Sequence, residues 1–385
     1  MSCSRTIGID ASRAARARRT GTETYALELI KGLAKLTSPH LRLRLYTPHP
    51  PQHNDWPDSS TVETRVIPWP RMWTHLRLAA ELRQHPPDVL FVPAHVLPLY
   101  CPVPAVVTVH DLGYVHYPQA HPLFDRWYLE WTTRRHTRVA RHILADSQAT
   151  KADLVTIYRA DPRKISVVYL GRDESLAPVT DIEVINEAKA RYNISGDYLL
   201  YLGTLHPRKN LVRLVEAFGM ALQSLQNWNP KVQLLHSSSL QLVIAGQKGW
   251  LYDEIFAKVQ ALGLENQVIF PGFIRDEDKP ALLSGALAYV FPSLYEGFGL
   301  PVLEAMACGT PVLAGNVSSL PEVAGNAALL VDPRDVGEIA EGITRLVADP
   351  ALRDNLVKRG FRQIQNFSWE RAATQVLEIL QDIGC

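Results

Sequence analysis

The sequence of 385 residues has few cysteines, almost no net charge and no long apolar run, and each shortage excludes a class of protein. Its four cysteines, Cys3, Cys101, Cys308 and Cys385, are scattered and lack metal-binding spacing. Because the start of the chain shows no secretory signal pattern, we expect a reduced, cytoplasmic setting. The formal net charge of +1 gives no overall field that would attract nucleic acid. No apolar stretch is long enough to cross a bilayer.

The sequence also lacks the glycine fingerprint of a nicotinamide site. Its first predicted strand, Thr6–Asp10, leads into a loop that contains Arg13, Arg16, Arg18 and Arg19. Gly21 follows this loop, but the Gly-x-Gly-x-x-Gly spacing of a dinucleotide-binding turn does not occur there. This argues against a dehydrogenase. Each arginine taken alone favours a solvated basic loop.

The most informative stretch lies between Ala288 and Leu313. Ala288–Phe291 is a short apolar run that ends at a proline, which is typical of a buried strand. A glycine-containing loop follows, and Pro301 suits the first position of a helix that we expect to run to Cys308 and stop at Gly309. The next strand begins at Pro311. Strand, glycine loop, helix and strand in this order predict a parallel sheet.

Two carboxylates, Glu296 and Glu304, bracket the glycine loop. The start of a helix favours a bound anion, typically a phosphate, because its free N–H groups and dipole are positive. A carboxylate would repel that phosphate, so the pair predicts contacts with neutral hydroxyls of a ribose and a sugar. Glu296 alone is equally consistent with a solvated loop, and Glu304 alone with an ordinary helix start. The pair together with the glycines and the proline favours a binding site.

A second predicted phosphate site follows the strand Tyr198–Leu202. The segment Gly203–Asn210 carries Arg208 and Lys209 into the start of an amphipathic helix. Arginine can bind two phosphate oxygens at once, and lysine supplies a compact charge. Because the helix dipole disfavours cations at this end unless an anion is bound, the two side chains predict a phosphate cradle.

Glu296 and Glu304 match the Glu-x7-Glu motif of retaining nucleotide-sugar glycosyltransferases with two Rossmann domains, and the stretch resembles family four of that class. The resemblance covers nearly the whole chain and is densest from Tyr201 to Val331. It implies an α/β fold with two Rossmann-like domains facing across a cleft, the GT-B arrangement. It further implies an acceptor-side domain over 1–172, a nucleotide-sugar domain over 173–368, and a final helix over 369–385 that crosses back to the first domain.

The same resemblance assigns roles to individual residues. It implies that Glu296 holds the transferred sugar, Glu304 the ribose, and the Arg208–Lys209 pair the donor diphosphate. Many relatives carry their arginine directly after the glycine, where this chain has Thr204, so the assignment to Arg208 is less direct than that to Lys209. The other donor-binding residues it implies are Gly21, Thr204, Phe273, Ile274, Gly297, Phe298, Gly299 and Leu300.

Two histidines follow predicted strand ends in the first half of the chain. His110 comes after the strand Val103–Val109 and matches a strand-end histidine that, in resembling enzymes, helps to hold the sugar hydroxyls by its ring or its backbone. A histidine of this kind taken alone is more often structural. His95 is a second, acceptor-side candidate.

The implied activity is that of a retaining, metal-independent hexosyltransferase. It would move a mannose- or glucose-type sugar from GDP or UDP to a glycan or lipid-linked hydroxyl in polysaccharide or glycolipid synthesis, with no cofactor besides the donor. Asp276-Glu-Asp278 resembles a metal-binding Asp-x-Asp, but acidic residues at a helix start are favoured by the dipole anyway. An epimerase- or phosphorylase-like enzyme of the same architecture and a catalytically silent nucleotide-sugar-binding protein are the alternatives.

One predicted helix, His121–His142, has an unusual composition. Aromatic and basic side chains recur at three- and four-residue spacing; they are Phe124, Trp127, Tyr128, Trp131, Arg126, Arg134, Arg135, Arg138 and Arg141. A core face with solvated arginines is the favoured interpretation. The other hypothesis is an interfacial helix that touches anionic lipid, which would give peripheral contact with the inner face of a membrane.

Overall fold

The computed structural model describes residues 5–17, 21–52, 56–94, 96–228, 240–249 and 251–383. The described residues form two compact units. Unit 1 takes in those up to Val115, then Leu123–Gly171 and those from Phe367 onward, and unit 2 takes in His116–Pro122 and Arg172–Asn366. The predicted domain boundaries, after residues 172 and 368, lie one and two residues beyond the divisions after Gly171 and Asn366. The sequence did not suggest that His116–Pro122 groups with the second unit.

Unit 1 is built on a parallel sheet. Its strands are β1 (Arg5–Asp10), β2 (Leu41–Thr47), β3 (Val62–Val66), β4 (Val89–Val92), β5 (Ala105–Val109), β6 (His142–Ala145) and β7 (Ile165–Val167). They lie in the order β3-β2-β1-β4-β5-β6-β7. β4 and β5 are apolar and fully buried because a parallel sheet is covered on both faces. β3 was not predicted, since it is a half-exposed edge strand with alternating polar residues.

The helices of unit 1 that precede the second unit are mostly short. They are α1 (Gly21–Lys35), α2 (Ala79–Gln84), α3 (Gly113–His116), α4 (Leu123–Val139) and α5 (Gln148–Tyr158), with a π-helical turn at Thr74–Leu78 and a 3-10 turn at Pro162–Lys164. The prediction of one helix over His121–His142 is therefore too long at both ends. At the C-terminal end, α4 stops at Val139 and His142 already belongs to β6.

Unit 2 contains a second parallel sheet. Its strands are β8 (Tyr198–Leu202), β9 (Gln241–Ala245), β10 (Val268–Gly272), β11 (Ala288–Phe291), β12 (Val312–Gly315) and β13 (Ala328–Val331). Their order is β10-β9-β8-β11-β12-β13. The predicted strands Tyr198–Leu202 and Ala288–Phe291 are confirmed residue for residue.

Helices connect the strands of unit 2. They are α6 (Ile182–Arg191), α7 (Leu211–Trp228), α8 (Asp253–Ala261), α9 (Lys279–Ser284), α10 (Leu300–Ala307), α11 (Leu320–Ala324), α12 (Val336–Ala348) and α13 (Pro350–Gln363), with 3-10 turns at Pro118–Ala120, Pro207–Lys209 and Ile364–Asn366. Across both units, no helix among the described residues combines the length and the apolar character needed to traverse a bilayer.

Strand order reverses once in each sheet, and these points locate the loops of interest. In a parallel sheet of this kind, ligands bind at the carboxyl edge where the strand order changes direction. In unit 2 that point lies between β8 and β11, which pair directly. Their following loops, Gly203–Asn210 and Pro292–Gly299, are the two that the sequence singles out. In unit 1 the reversal lies between β1 and β4.

The last helix, α14 (Trp369–Ile383), belongs to unit 1 and packs along α1. The Arg5 guanidinium donates to the carbonyl oxygens of Gln381 at 2.6 Å and Leu380 at 3.0 Å. Small residues permit the close approach, since a Cβ placed on Gly32 of α1 would lie 2.6 Å from the Cβ of Ala373. A Cβ on Gly171 would lie 2.2 Å from the backbone nitrogen of Trp369.

We predict that Gly171→Ala destabilises the protein by about 1–3 kcal/mol, because the added methyl group overlaps the backbone of α14 and forces it to move. Thermal unfolding monitored by calorimetry measures the change. Gly219→Ala in α7 is the matched control, since its Cβ would make ordinary contacts at 3.5 and 3.8 Å with leucine methyls. That variant should be unchanged or more stable by roughly 0.5–1 kcal/mol. Equal melting temperatures for wild type and Gly171→Ala would contradict the packing of α14.

Candidate active site

The glycine loop after β11 has the structure that the sequence predicts. Gly299 adopts φ 118°, a left-handed conformation that favours glycine, and a Cβ there would lie 2.9 Å from the Leu320 side chain. α10 then starts at Leu300, with Pro301 in its first turn. It stops before Gly309, which has φ 73° and closes the helix. The N-terminus of α10 therefore lies at the carboxyl edge of the sheet.

Two predicted site residues meet at the strand-order reversal. Nζ of Lys209, from the loop after β8, donates to Oε1 of Glu296, from the loop after β11, at 2.6 Å. The two side chains are only 15% and 9% exposed. The Lys209 ammonium also lies 5.0 Å from the centre of the Phe291 ring. The structure thus pairs Lys209, which the sequence predicts to bind phosphate, with Glu296, which it predicts to bind a sugar.

Asn210 ties the two loops together. It is buried, has φ 63°, and its side-chain amide donates to the carbonyl oxygens of Pro292 at 3.0 Å and Pro333 at 2.6 Å. The backbone adds a further link, since Leu294 N donates to the Arg208 carbonyl at 2.9 Å. The sequence analysis did not single out Asn210, because its role depends on carbonyl groups that lie far along the chain.

Two serines before α11 support the loop that carries Glu296. Glu296 N donates to Ser318 Oγ at 2.9 Å. The buried Ser319 hydroxyl lies 3.0 Å from the Glu296 carbonyl oxygen and 2.6 Å from that of Phe298. Ser318 holds φ 50°, a left-handed conformation that is rare for serine. The sequence analysis did not single out these serines, and their positioning role is visible only in the fold.

The segment His116–Pro122 also lies against both loops of unit 2. The His116 ring stacks on Tyr295 with centroids 4.6 Å apart, and the Tyr117 hydroxyl donates to the Leu294 carbonyl at 3.1 Å. His206 Nε2 lies 3.0 Å from the Ala120 carbonyl, and Arg208 N donates to His206 Nδ1 at 3.3 Å. Burial, followed by the charge of Arg208, lowers the pKa of His206. These bonds fit a neutral imidazole that carries its proton on Nε2.

Glu304 has a different partner from Glu296. Its Oε2 accepts from Lys279 Nζ at 2.6 Å, and both side chains are about three-quarters buried. Sequence reasoning missed Lys279, which lies in the first turn of α9.

Cys308, at the end of α10, is not a reactive thiol, because burial raises its pKa to about 12.

One member of the acidic triplet before α9 packs into the fold, whereas Glu277 is 69% exposed. Asp278 accepts from the Tyr192 hydroxyl at 2.6 Å, from Arg275 Nε at 2.9 Å and from Arg191. Burial raises the pKa of Asp278, but the hydrogen bonds from Tyr192 and Arg275 outweigh burial and lower it. Within the described ranges, no group of three or more His, Cys, Asp or Glu side chains is arranged to hold a metal ion.

The remaining predicted donor-site residues of unit 2 differ in exposure. Phe298 and Ile274 are buried, whereas Phe273 is 60% exposed just after β10. Thr204 is exposed directly after Gly203. Phe273 and Thr204 therefore present side-chain surface to solvent, whereas little of Ile274 is exposed.

In unit 1, His110 pairs with a carboxylate that the sequence analysis missed. β5 and β6 are adjacent, with Val109 opposite Ala145, so the residues that follow each strand are lateral neighbours. His110 Nδ1 lies 2.7 Å from Asp146 Oδ2, and Asp146 is buried. The Tyr25 ring meets the His110 ring edge to face at 4.8 Å. The only sequence signal was that a polar residue follows each of two neighbouring strands.

Nearby charge and burial shift the pKa of His110 in opposite directions. Burial lowers the pKa of His110, but the charge and hydrogen bond of Asp146 outweigh burial and raise it, with a smaller contribution from Asp111. Burial raises the pKa of Tyr25, so its phenol stays protonated. The Pro93 carbonyl also favours the charged ring. The arrangement shifts the His110 ring toward its charged form.

Two arginines of the loop in unit 1 are exposed, which agrees with a solvated basic loop, and both also reach a carboxylate of α1. Arg13 and Arg16 lie 3.2 and 3.4 Å from the buried carboxylate of Glu23, in the first turn of α1. Gly21 begins this helix, and a Cβ there would meet nothing within 4 Å. Among the described residues, no packing contact therefore requires glycine at this position. Arg18, Arg19 and His95 lie outside the described residues.

Comparison with known proteins identifies the family. The model described as Glycosyltransferase Family 4 matches residues 19–176, and that described as Glycosyl transferases group 1 matches residues 185–363. O-antigen chain mannosyltransferase B of Escherichia coli is 30% identical over 274 residues, which make up 71% of this chain and 69% of that protein. The chain also matches serotype-specific mannosyltransferases of the same organism, over 22–23% of their length.

Solved structures show the same fold. Sucrose-phosphate synthase from Thermosynechococcus elongatus has a TM-score of 0.73 at 23% identity, with 98% of each chain covered. Anabaena HepE, solved in complex with UDP and glucose, has a TM-score of 0.72 at 19% identity, with 98% of this chain and 99% of that one covered. At these identities, the likeness establishes the fold alone.

The two parallel-sheet domains and the paired loops define an enzyme of the two-Rossmann-domain glycosyltransferase class, GT-B. The chain belongs to the group 1 glycosyltransferases, of the family-four type. The predicted α/β fold with two Rossmann-like domains and the predicted enzyme class are confirmed. Family membership favours a glycosyltransferase over the epimerase-like, phosphorylase-like and catalytically silent alternatives.

We predict that Asp146→Asn lowers the pKa of His110, because it removes the charge that raises it. NMR titration of the histidine ring signals measures the midpoint directly. Since the folded-state pKa is raised, protonation of His110 stabilises the fold below its unfolded pKa, and this contribution is lost as the pH rises through the folded pKa. The variant should lose that pH-dependent stability.

Asp111→Asn is the matched control for this titration, since Asp111 contributes less than Asp146 to the pKa of His110. It should shift the His110 midpoint by a smaller amount. A folded Asp146→Asn variant with the wild-type midpoint would show that Asp146 does not set the charge of the ring.

Proposed function

We propose that this glycosyltransferase is a retaining, metal-independent hexosyltransferase. It moves a mannose- or glucose-type sugar from a nucleotide diphosphate to a hydroxyl of a glycan or lipid-linked acceptor, in polysaccharide or glycolipid synthesis. The observation that carries the donor assignment is the Lys209–Glu296 pair, held at 2.6 Å where the strand order of unit 2 reverses. The names of the mannosyltransferase relatives support mannose.

The pair provides both kinds of contact that a nucleotide sugar needs. Without donor, Lys209 and Glu296 neutralise each other, as a buried charge requires. A diphosphate that arrives beside Lys209 competes for the ammonium, and the Glu296 carboxylate then accepts hydrogen bonds from neutral sugar hydroxyls. A carboxylate in this role selects the sugar end of the donor, because it repels the phosphates.

Charge stabilisation on the leaving diphosphate supplies the main catalytic effect. Negative charge develops on the phosphate oxygen as the bond to the sugar carbon breaks. Arg208, Lys209 and the N–H groups of Gly297–Leu300 at the start of α10 are the proposed donors to that charge. The acceptor hydroxyl forms the new bond on the same face of the sugar, and its proton passes to the leaving phosphate oxygen. Neither Glu296 nor Glu304 is proposed as a nucleophile.

Other residues of unit 2 hold the nucleoside. Glu304 binds the ribose hydroxyls, while Thr204, Phe273 and Ile274 line the base and phosphate side. The exposed Phe273 ring supports a stacking role. For Ile274 we propose a contact through its backbone. The base is guanine or uracil; the structure of HepE with UDP supports the second, and the mannosyltransferase relatives are neutral on the base.

Two residues of unit 1 complete the proposal. His110, fixed by Asp146, holds hydroxyls of the transferred sugar with a charged ring. Gly21 keeps the start of α1 free of a side chain near the donor phosphate, a role that is supported because a Cβ there would meet no described residue within 4 Å. We place the reaction in the cytoplasm, with peripheral contact at the inner face of the membrane.

We predict that Glu296→Ala and Lys209→Ala each reduce transfer by ~10²-fold or more, the scale of losing one donor to the transition-state charge. Steady-state assays with nucleotide sugar and acceptor measure the loss. Glu277→Ala, a 69% exposed carboxylate of the same unit, is the matched control and should retain wild-type turnover. Near-wild-type rates for both site variants would overturn the proposed function.

Glu304→Ala should weaken nucleotide binding rather than turnover of bound donor, because its proposed contact is with the ribose. Isothermal titration calorimetry with GDP and with UDP measures the affinity and identifies the base. Lys279→Ala removes the partner of Glu304 without removing the carboxylate, so it should weaken binding less. Unchanged affinity in Glu304→Ala for whichever nucleotide binds would contradict the ribose assignment.

A further inference from the structure

α4 carries a continuous exposed stripe on the surface of unit 1. Its members are Leu123, Trp127, Trp131, Arg134 and Arg138, and all five are exposed. Their spacings of four, four, three and four residues place them on one face of the helix. The opposite face is buried through Thr132, Thr133 and His136. We call the exposed set the α4 stripe.

The first half of the α4 stripe is aromatic and apolar. Leu123, Trp127 and Trp131 are 82%, 60% and 40% exposed, and the neighbouring Phe124 is 72% exposed. Trp127 stacks on Trp131 with ring centroids 6.5 Å apart, and Phe124 lies 6.3 Å from Trp127. The prediction that these aromatic residues form a core face is therefore wrong. Their spacing marked a shared face, but that face is the uncovered one.

The second half of the stripe is cationic and borders a pocket. This pocket has a volume of about 390 Å³ and is lined by Arg134, Thr137, Arg138, Ile157, Tyr158 and Arg159. Three guanidinium groups and no carboxylate line it. Arg159 caps α5 at φ 53°, which turns the chain at the rim of the pocket. Glu130 pairs with Arg134 at 3.1 Å, but both are exposed, so solvent screens that pair.

Taken together, the aromatic and the cationic half of the α4 stripe limit what could bind to it. Arginine guanidinium groups bind phosphate through two parallel hydrogen bonds, so a pocket lined by three arginines suits a phosphate. A soluble phosphate would leave the two tryptophans without a role. Tryptophan beside arginine is typical of the boundary between lipid headgroups and acyl chains, where an amphipathic helix lies in the plane of the membrane. An anionic phospholipid surface accounts for both halves.

We propose that the α4 stripe docks on an anionic phospholipid membrane. Arg134, Arg138 and Arg159 hold lipid phosphates, while Trp127 and Trp131 lie at the boundary of the acyl chains. From Leu123 to Arg138 the stripe is roughly 22 Å long, at about 1.5 Å per residue. The α4 stripe specifies which surface makes the membrane contact that is part of the proposed function, so this proposal rests on that function. Its test needs no transfer activity.

Vesicle flotation tests the proposal directly. Wild-type protein should float with vesicles that contain phosphatidylglycerol at low salt, and less with pure phosphatidylcholine. Arg138→Gln with Arg159→Gln should lower partitioning roughly 25-fold, since each cation near an anionic leaflet contributes about fivefold. Trp127→Ala with Trp131→Ala should lower partitioning at all salt concentrations, because the apolar contribution is not screened.

Matched controls place the same changes outside the stripe. Trp69→Ala, at a 46% exposed site, and Arg163→Gln, whose side chain is 88% exposed, both lie in unit 1 and should float as the wild type does. Glu296→Ala should float normally while losing transfer, so failure of the membrane proposal and failure of the proposed function give different results.

Several outcomes would overturn the proposal. No flotation of the wild type, or equal losses in the control variants, would remove the α4 stripe as the membrane contact. Full displacement by millimolar inorganic phosphate would assign the arginine pocket to a free anion. Sedimentation velocity that shows a dimer abolished by the double tryptophan variant, with flotation unchanged, would assign the stripe to a second copy of the chain.

Discussion

The ion pair between Lys209 and Glu296 is the constraint on which the organisation of unit 2 depends. Removing either charge from water alone costs on the order of several kcal/mol, so each side chain is tolerable inside the protein only beside the other. The pair is kept at 2.6 Å by two loops that are themselves fastened, one by the Asn210 amide and the other by the Ser319 hydroxyl. In the proposed function, a donor offers a diphosphate to the lysine and sugar hydroxyls to the carboxylate in place of this pairing.

Parallel strands explain why such pairs arise at one edge of each sheet. All carboxyl ends of a parallel sheet lie on the same side, so residues that follow neighbouring strands become lateral neighbours. β8 and β11 bring Lys209 and Glu296 together in unit 2, and β5 and β6 bring His110 and Asp146 together in unit 1. In both units a basic side chain meets a buried carboxylate. In unit 2 we propose that the lysine exchanges its carboxylate for phosphate, whereas in unit 1 the carboxylate raises the pKa of the His110 ring.

The α4 stripe differs from the rest of unit 1 in leaving neighbouring large aromatic side chains exposed. Several aromatic side chains of unit 1, such as Tyr25 and Tyr46, are fully buried, although single ones such as Trp69 are exposed. On α4, large aromatic residues remain in water and continue into an arginine-lined pocket, while small polar residues such as Thr133 face the interior. Exposing tryptophan at two successive turns has no advantage for the folding of an isolated chain, since burial of its apolar area would stabilise the fold. The arrangement is understandable only if another apolar medium covers it.

The sequence by itself determined the local elements and the chemistry that they carry. Apolar runs gave the strands β8 and β11, while the glycine and proline positions gave the loop and the limits of α10, because φ preferences and strand burial act over a few residues. Tertiary structure decided the pairings: Lys209 with Glu296, His110 with Asp146, and Glu304 with Lys279, each between residues far apart in the chain. It also decided which face of α4 is covered. Periodicity states which side chains share a face, but only the position of the neighbouring elements determines whether that face meets the core or the solvent.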